Sequence, residues 1–200
     1  MTEESKSDLT RKRILDAGRG LLLRHGFSGV GLSRILAESG VPKGSFYYYF
    51  ASKEAFGTAL LEEYVAGYLD RFDALIAAPG PAGGKLMQFW DAWLTEAGQA
   101  GIAGECLVVK LGAEVADLSA PMREILDRGV DAVVDRIARL LRDGAEDGSV
   151  ARVDDPEATA RMLYAKWLGA AVLAKLAQSD AALLMAREET SAQLAPTGAS

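Results

Sequence analysis

The chain has 200 residues, half of them apolar, and its 28 acidic against 22 basic side chains give a formal net charge of −6. That suffices for a sizeable core in one large domain or two small ones. A single cysteine excludes an internal disulfide framework. The polar start (Thr2, Glu3, Glu4, Ser5) reads as no signal peptide, and the longest apolar run, Trp167 to Ala174, is too short to cross a bilayer. A cytoplasmic protein with no membrane partner is expected.

Asp8 or Thr10 can cap a first helix running to about His25, with Ile14, Leu15, Leu21 and Leu22 near helical spacing. His25, the single histidine, reads as a cap for the end of that helix. Two short helical patterns follow, from Leu32 to Ser39 and from Lys43 to Phe50, joined by Gly40-Val41-Pro42. Gly40 can take the left-handed conformation that ends a helix, and Pro42 suits a helix start. Ile35, Leu36, Val41, Phe46 and Phe50 supply a small core that fixes the angle between the two. A helix–turn–helix of this kind lays its second helix in a DNA major groove. Lys43, Ser45, Tyr47 and Tyr48 offer it cationic and hydroxyl groups for phosphates and base edges. With Ser33, Arg34, Pro42, Gly44 and Lys53 they are the candidate DNA contacts, Lys53 being assigned to a phosphate. Charge agrees: from Leu9 to Glu62 eight basic side chains face four acidic ones, a balance of +4, so the acidity lies elsewhere.

Ser52 can cap a fourth helix to about Ala77, before the Pro79–Gly84 break. A fifth is expected from Lys85 to about Gln99, with Leu86, Phe89, Trp90, Trp93 and Leu94 on one side. After Gly98, Gly101 and Gly104 comes a short helix from Glu105 to about Val115. Ser119, with Pro121 just inside, starts a long helix that stops at Asp143-Gly144. Asp154 or Asp155 opens another at Pro156, running to about Gln178, and Ser179-Asp180 caps a last one to about Glu189. The expected fold is therefore all-α. Residues 1–52 make a three-helix DNA-binding domain, 53–190 a helical effector-sensing and dimerisation domain, and 191–200 a disordered tail.

The run GVPKGSFYYYFASKEAF resembles the recognition-helix signature of TetR-type transcriptional repressors. Gly40, Val41, Pro42, Lys43, Gly44, Ser45, Tyr47, Phe50, Lys53 and Glu54 fall on that pattern, and Thr10 to Val30 resembles the family's first helix. The resemblance implies that the last two long helices pair in a four-helix dimer interface. Leu163, Trp167, Ala170, Ala171, Leu183 and Leu184 are its candidate residues. A twofold dimer would read two half-sites of a pseudo-palindromic operator about 34–36 Å apart.

Cys106 is placed in the first turn of the short helix, where the helix N-terminus favours thiolate; Lys110, one turn on, adds to this and Glu105 opposes it. The segment from Gly104 to Ser119 resembles the NemR-like branch of the same family, which senses electrophiles and oxidants through cysteine. The resemblance thus implies a repressor released from double-stranded operator DNA by a reactive species at Cys106. The alternative is the same homodimeric architecture induced by an apolar small molecule, with Cys106 inert and Trp90, Trp93 and Trp167 lining the pocket. An enzyme using the thiolate would need a histidine base, and the only one lies in the DNA-binding head. Glu114 and Asp117 read as solvated surface rather than metal ligands. No cofactor, metal site or catalytic set is expected.

Overall fold

The computed structural model describes residues 6–94 and 101–196. Among them the helices run, in chain order, α1 (Lys6–His25), α2 (Leu32–Ser39), α3 (Lys43–Tyr49), α4 (Lys53–Ala77), α5 (Ala82–Asp91), α6 (Ile102–Glu105), α7 (Leu107–Leu118), α8 (Ala120–Asp147), α9 (Pro156–Ala177) and α10 (Ala181–Leu194). The chain divides into two compact units.

The first comprises residues 6–66 with Lys110–Asp127. α1 buries Ile14, Leu15, Leu21 and Leu22, and carries Asp8 in its first turn and Arg24 and His25 in its last, as the helix dipole favours. At Gly18 a Cβ would fall 2.2 Å from the Phe56 ring, so only glycine lets α1 approach α4 this closely. Gly40 ends α2 at φ 62°, its N–H returning to the Leu36 carbonyl. Ile35, Val41, Phe46 and Phe50 are buried as the pattern predicts, while Leu36 is only half-buried. The Phe46, Phe50 and Phe56 rings pack with centroids 5.4–5.7 Å apart. The expected 1–52 head lies inside this unit, which also takes in the first half of α4, most of α7 and the start of α8. A Cβ at Gly57 would meet Phe27 at 2.6 Å and Met122 at 2.7 Å, so these three elements pack without a gap.

The second unit comprises Gly67–Val109 and the chain from Arg128 onward. Trp90, Trp93 and Trp167 are fully buried at its centre. Trp90 stacks on Trp167 at 4.8 Å, and Trp167 Nε1 donates to Thr190 Oγ1 at 3.1 Å. Asp155 caps α9 by accepting from Ala158 N–H, and Gln178, at φ 51°, closes it.

Several boundaries depart from the sequence reading, each for a local reason. α1 begins at Lys6, and the Thr10 hydroxyl donates to the Lys6 carbonyl within the helix rather than capping it. α5 begins at Ala82, because the Asp147 carboxylate accepts from Ala82 N–H and Ser149 Oγ from Gly83 N–H, each at 2.8 Å. It ends at Asp91; the expected continuation to Gln99 runs outside the described residues, as does Thr2–Ser5. α8 continues past Gly144, which faces Val150 too closely for any side chain, and stops where Gly148 takes φ +75°. α10 reaches Leu194, beyond the expected fraying at Ser191, since Leu194 is buried and its carbonyl accepts from Ala151 N–H.

Candidate DNA interface and thiol site

α2 and α3 present most of the expected contacts outward. Ser33, Arg34, Pro42, Lys43, Gly44, Tyr47 and Tyr48 are exposed and Ser45 is half-buried. Tyr48 is 78% exposed, although large aromatic side chains are normally covered. Its ring rests edge-on against Tyr49, whose hydroxyl accepts from Ser7 on α1 at 3.2 Å, so the tyrosine run is propped from behind. Lys43 lies 6.0 Å from the Tyr47 ring. A Cβ at Gly44 would meet no protein atom within 4 Å, so the fold gives no reason for glycine at this exposed helical position.

Lys53, expected at a phosphate, makes contacts within the fold. Its ammonium donates to the Phe27 carbonyl at 2.6 Å and sits 4.3 Å above the Phe27 ring. A cation over an aromatic face beside a carbonyl acceptor is well held. Burial pushes its pKa down, and Glu114 partly restores it.

Glu114 is the residue the sequence reading missed. Assigned to solvated surface, it is half-buried and accepts the N–H groups of Phe27 at 2.9 Å and Ser28 at 2.6 Å. Burial pushes its carboxyl up, but the Ser28 and Phe27 N–H groups, the Ser28 hydroxyl and the Lys53 charge outweigh it and hold the carboxyl below its usual range. No local pattern announces a contact spanning 87 residues. Asp117 is exposed, as expected. His25 is exposed at the end of α1; desolvation and the neighbouring Arg34, Arg24 and Lys110 charges lower its pKa.

Cys106 is 2% exposed and lies between two helices, ending α6 and preceding α7, rather than within a first turn. Val109 N–H donates to its sulfur at 3.5 Å, which makes Sγ the N-cap acceptor of α7. An N-terminal helix dipole and a donated N–H favour thiolate; burial in apolar surroundings opposes it. Lys110, expected to support the thiol, is half-buried, and its charge lowers the pKa of His25. The Tyr68 phenol is pushed well above its usual range by burial first and by Cys106 second.

Trp90, Trp93 and Trp167, expected to line a pocket, are fully buried. A cavity of about 270 Å³ lies beside them, lined by Tyr68, Arg71, Phe72, Leu75, Phe89 and Ile102 among others. Of the expected dimer residues, Leu163, Trp167, Ala170, Ala171 and Leu183 are buried within the protomer, and only Leu184 is exposed. The outer face of α9 instead carries Met162, Leu173 and Leu176, with Gly169 between them, and α10 adds Leu184 and Met185. Among the described residues no cluster of side chains suits a metal ion, and no helix is long and apolar enough to cross a membrane.

A short α2, a left-handed glycine and an α3 whose outer face is tyrosine, lysine and bare backbone define a helix–turn–helix DNA-binding regulator. The comparisons with known proteins make this particular. Residues 14–60 match the bacterial regulatory proteins of the tetR family, and residues 82–190 match the tetracyclin repressor-like C-terminal domain. The HTH-type transcriptional repressor NemR of Escherichia coli (strain K12) is 40% identical over 180 residues, 90% of each chain. The transcriptional regulator AcuR of Cereibacter sphaeroides is 33% identical over 172 residues, 85% of this chain and 78% of that protein. The crystal structure of the reduced form of E. coli NemR superposes with a TM-score of 0.86 at 37% identity, covering 94% of this chain and 98% of that one. The chain belongs to the TetR family of transcriptional regulators.

Proposed function

We propose that this protein is a homodimeric repressor that leaves a pseudo-palindromic operator when an electrophile or oxidant attacks Cys106. The observation that carries this reading is the sulfur at the N-cap of α7. Alkylation or oxidation there removes or distorts the acceptor for Val109 N–H and adds volume at a buried position. Losing an N-cap costs ~0.5–2 kcal/mol and overpacking ~1–3 kcal/mol. Either is enough to shift a two-state equilibrium, since ~1.4 kcal/mol is tenfold. The likeness to NemR over nearly the whole chain supports the same reading.

The dimer interface is the outer face of α9 and α10. Met162, Lys166, Gly169, Leu173 and Leu176 follow one helical stripe. A Cβ at Gly169 would meet nothing within 4 Å, so its glycine answers no need within the protomer and suits a close approach by the partner's helix.

The cavity beside Tyr68 and Phe89 supports a second reading, reversible binding of a small apolar effector with Cys106 as bystander. One experiment separates the two. A DNA duplex selected from a random library by the wild-type protein is titrated before and after N-ethylmaleimide treatment, with intact mass recording the adduct. The thiol reading expects release together with one adduct at Cys106, and neither in Cys106→Ser. Release of the Ser variant by the same treatment would leave the reversible-ligand reading in its place.

A further inference from the structure

The turn between α1 and α2 is anchored from two sides. Gly26 takes φ +75°, and the N–H groups of Phe27 and Ser28 both donate to the Glu114 carboxylate. The Phe27 carbonyl accepts from Lys53. One peptide segment is thus gripped through its donors by α7 and through an acceptor by the start of α4. Hydrogen bonds from N–H groups to a carboxylate are among the stronger ones. A Cβ at Gly26 would lie 2.8 Å from Glu114 Oε2, so glycine there leaves room for the carboxylate as well as permitting the turn. The turn fixes where α2 begins, and α2 carries Ser33 and Arg34 and leads directly into α3. A six-residue connection on its own leaves that entry direction loose; a carboxylate clamp removes the freedom.

We infer that Glu114 is a positioning residue for operator binding, through which α7 holds the α1–α2 turn, and with it α2 and α3, in the arrangement that fits DNA. It lies on the same continuous helix that the Cys106 sulfur caps, a little over two turns further on. A change in the cap that shifts or unwinds the first turn of α7 therefore reaches the clamp along a single element. This last link rests on the thiol reading above; the positioning role does not.

The test uses the full-length protein and the selected duplex, with an unrelated duplex as control. Glu114→Ala should weaken binding to the selected duplex about ten- to hundredfold, the size of one charge-assisted hydrogen bond. Affinity for the unrelated duplex and the far-ultraviolet helix signal should stay unchanged. Glu114→Gln, which keeps one acceptor, should recover most of the loss, a rescue that mere surface polarity would not give. An alanine variant that binds the selected duplex within about twofold of wild type overturns the assignment. If the alanine variant does not fold, amide exchange in the wild type decides. Phe27 and Ser28 should gain protection when the selected duplex binds, and unchanged exchange overturns the inference. N-ethylmaleimide then tests the link to the thiol. Wild type carrying the adduct should lose affinity, and Glu114→Ala carrying it should lose no more than about a further twofold. Loss by the same factor in both proteins overturns transmission through Glu114. A wild-type adduct that keeps full affinity defeats the thiol reading, while the affinities of the unmodified proteins still decide the role of Glu114.

Discussion

Leu176→Asp should split the dimer without unfolding the protomer. Leu176 is 78% exposed on the outer face of α9, the largest exposure of any bulky apolar residue on that stripe. Fully burying a leucine side chain is worth ~1.5–3 kcal/mol, so covering the exposed part yields about 1.2–2.3 kcal/mol in each protomer. A twofold interface contains the residue twice, and the substitution removes about 2.3–4.7 kcal/mol from the dimer, or roughly fifty- to two-thousandfold in its dissociation constant. Burying two aspartates can only add to that loss. The protomer itself should hardly notice, since an exposed substitution shifts folding stability by about 0.5 kcal/mol or less. Sedimentation equilibrium across a concentration series reads the constant directly, and thermal unfolding at a concentration where wild type is monomeric reads the protomer. Sedimentation of the variant with wild-type affinity would refute the argument and move the interface to another face. A variant that fails to fold as a monomer would show instead that this leucine belongs to the protomer's own core.

Other consequences are as direct. Gly44→Ala should steady α3 by up to about 1 kcal/mol yet weaken binding to the selected duplex if, as we propose, the bare backbone meets a phosphate there; unchanged or tighter DNA binding would remove Gly44 from the interface. Lys43→Met should reduce the salt dependence of binding by about one phosphate contact, whereas Lys53→Met should leave that slope intact and lower stability by about 1 kcal/mol through the lost Phe27 bond; a reduced slope for Lys53→Met would restore it to the DNA surface. Glu114 has a folded pKa below its unfolded value, so its contribution to stability is complete above pH ~4.3 and disappears as the pH falls through the lower folded value. Denaturant melts of Glu114→Gln should therefore show a flatter acid limb than wild type, and superimposable limbs would count against the clamp.

What the sequence made legible was set by local rules. Gly40, Pro42 and the spacing of Ile35, Phe46 and Phe50 determine the helix–turn–helix almost without help from the rest of the chain. Ser52, Ser119 and Asp155 mark helix starts by the one bond a cap makes, and each makes it. The bonds that Lys53 and Glu114 make to the α1–α2 turn escaped because their partners are backbone atoms that only folding brings near. Which side of α9 faces outward was hidden for a different reason. α9 is apolar nearly all round, so its pattern does not say which side meets its own core. Leu163 and Met162 are neighbours in sequence, yet one is 2% and the other 70% exposed. Near Cys106 the glycines announced a break, but not the four-residue α6 that precedes it nor the sulfur cap that moves the start of α7 from the expected Glu105 to Leu107.

All three tryptophans of the chain, Trp90, Trp93 and Trp167, lie in the second unit, with Trp90 and Trp167 stacked and Trp167 tied to Thr190. The DNA-binding head has tyrosines and no tryptophan. Red-edge excitation of the native protein therefore illuminates one unit and leaves the other dark. An effector that disturbs the body will announce itself in the emission spectrum without any label, while docking on DNA must be followed by another signal. The molecule thus separates optically the two events that a repressor has to couple, and stopped-flow emission set against labelled-duplex anisotropy would time one against the other.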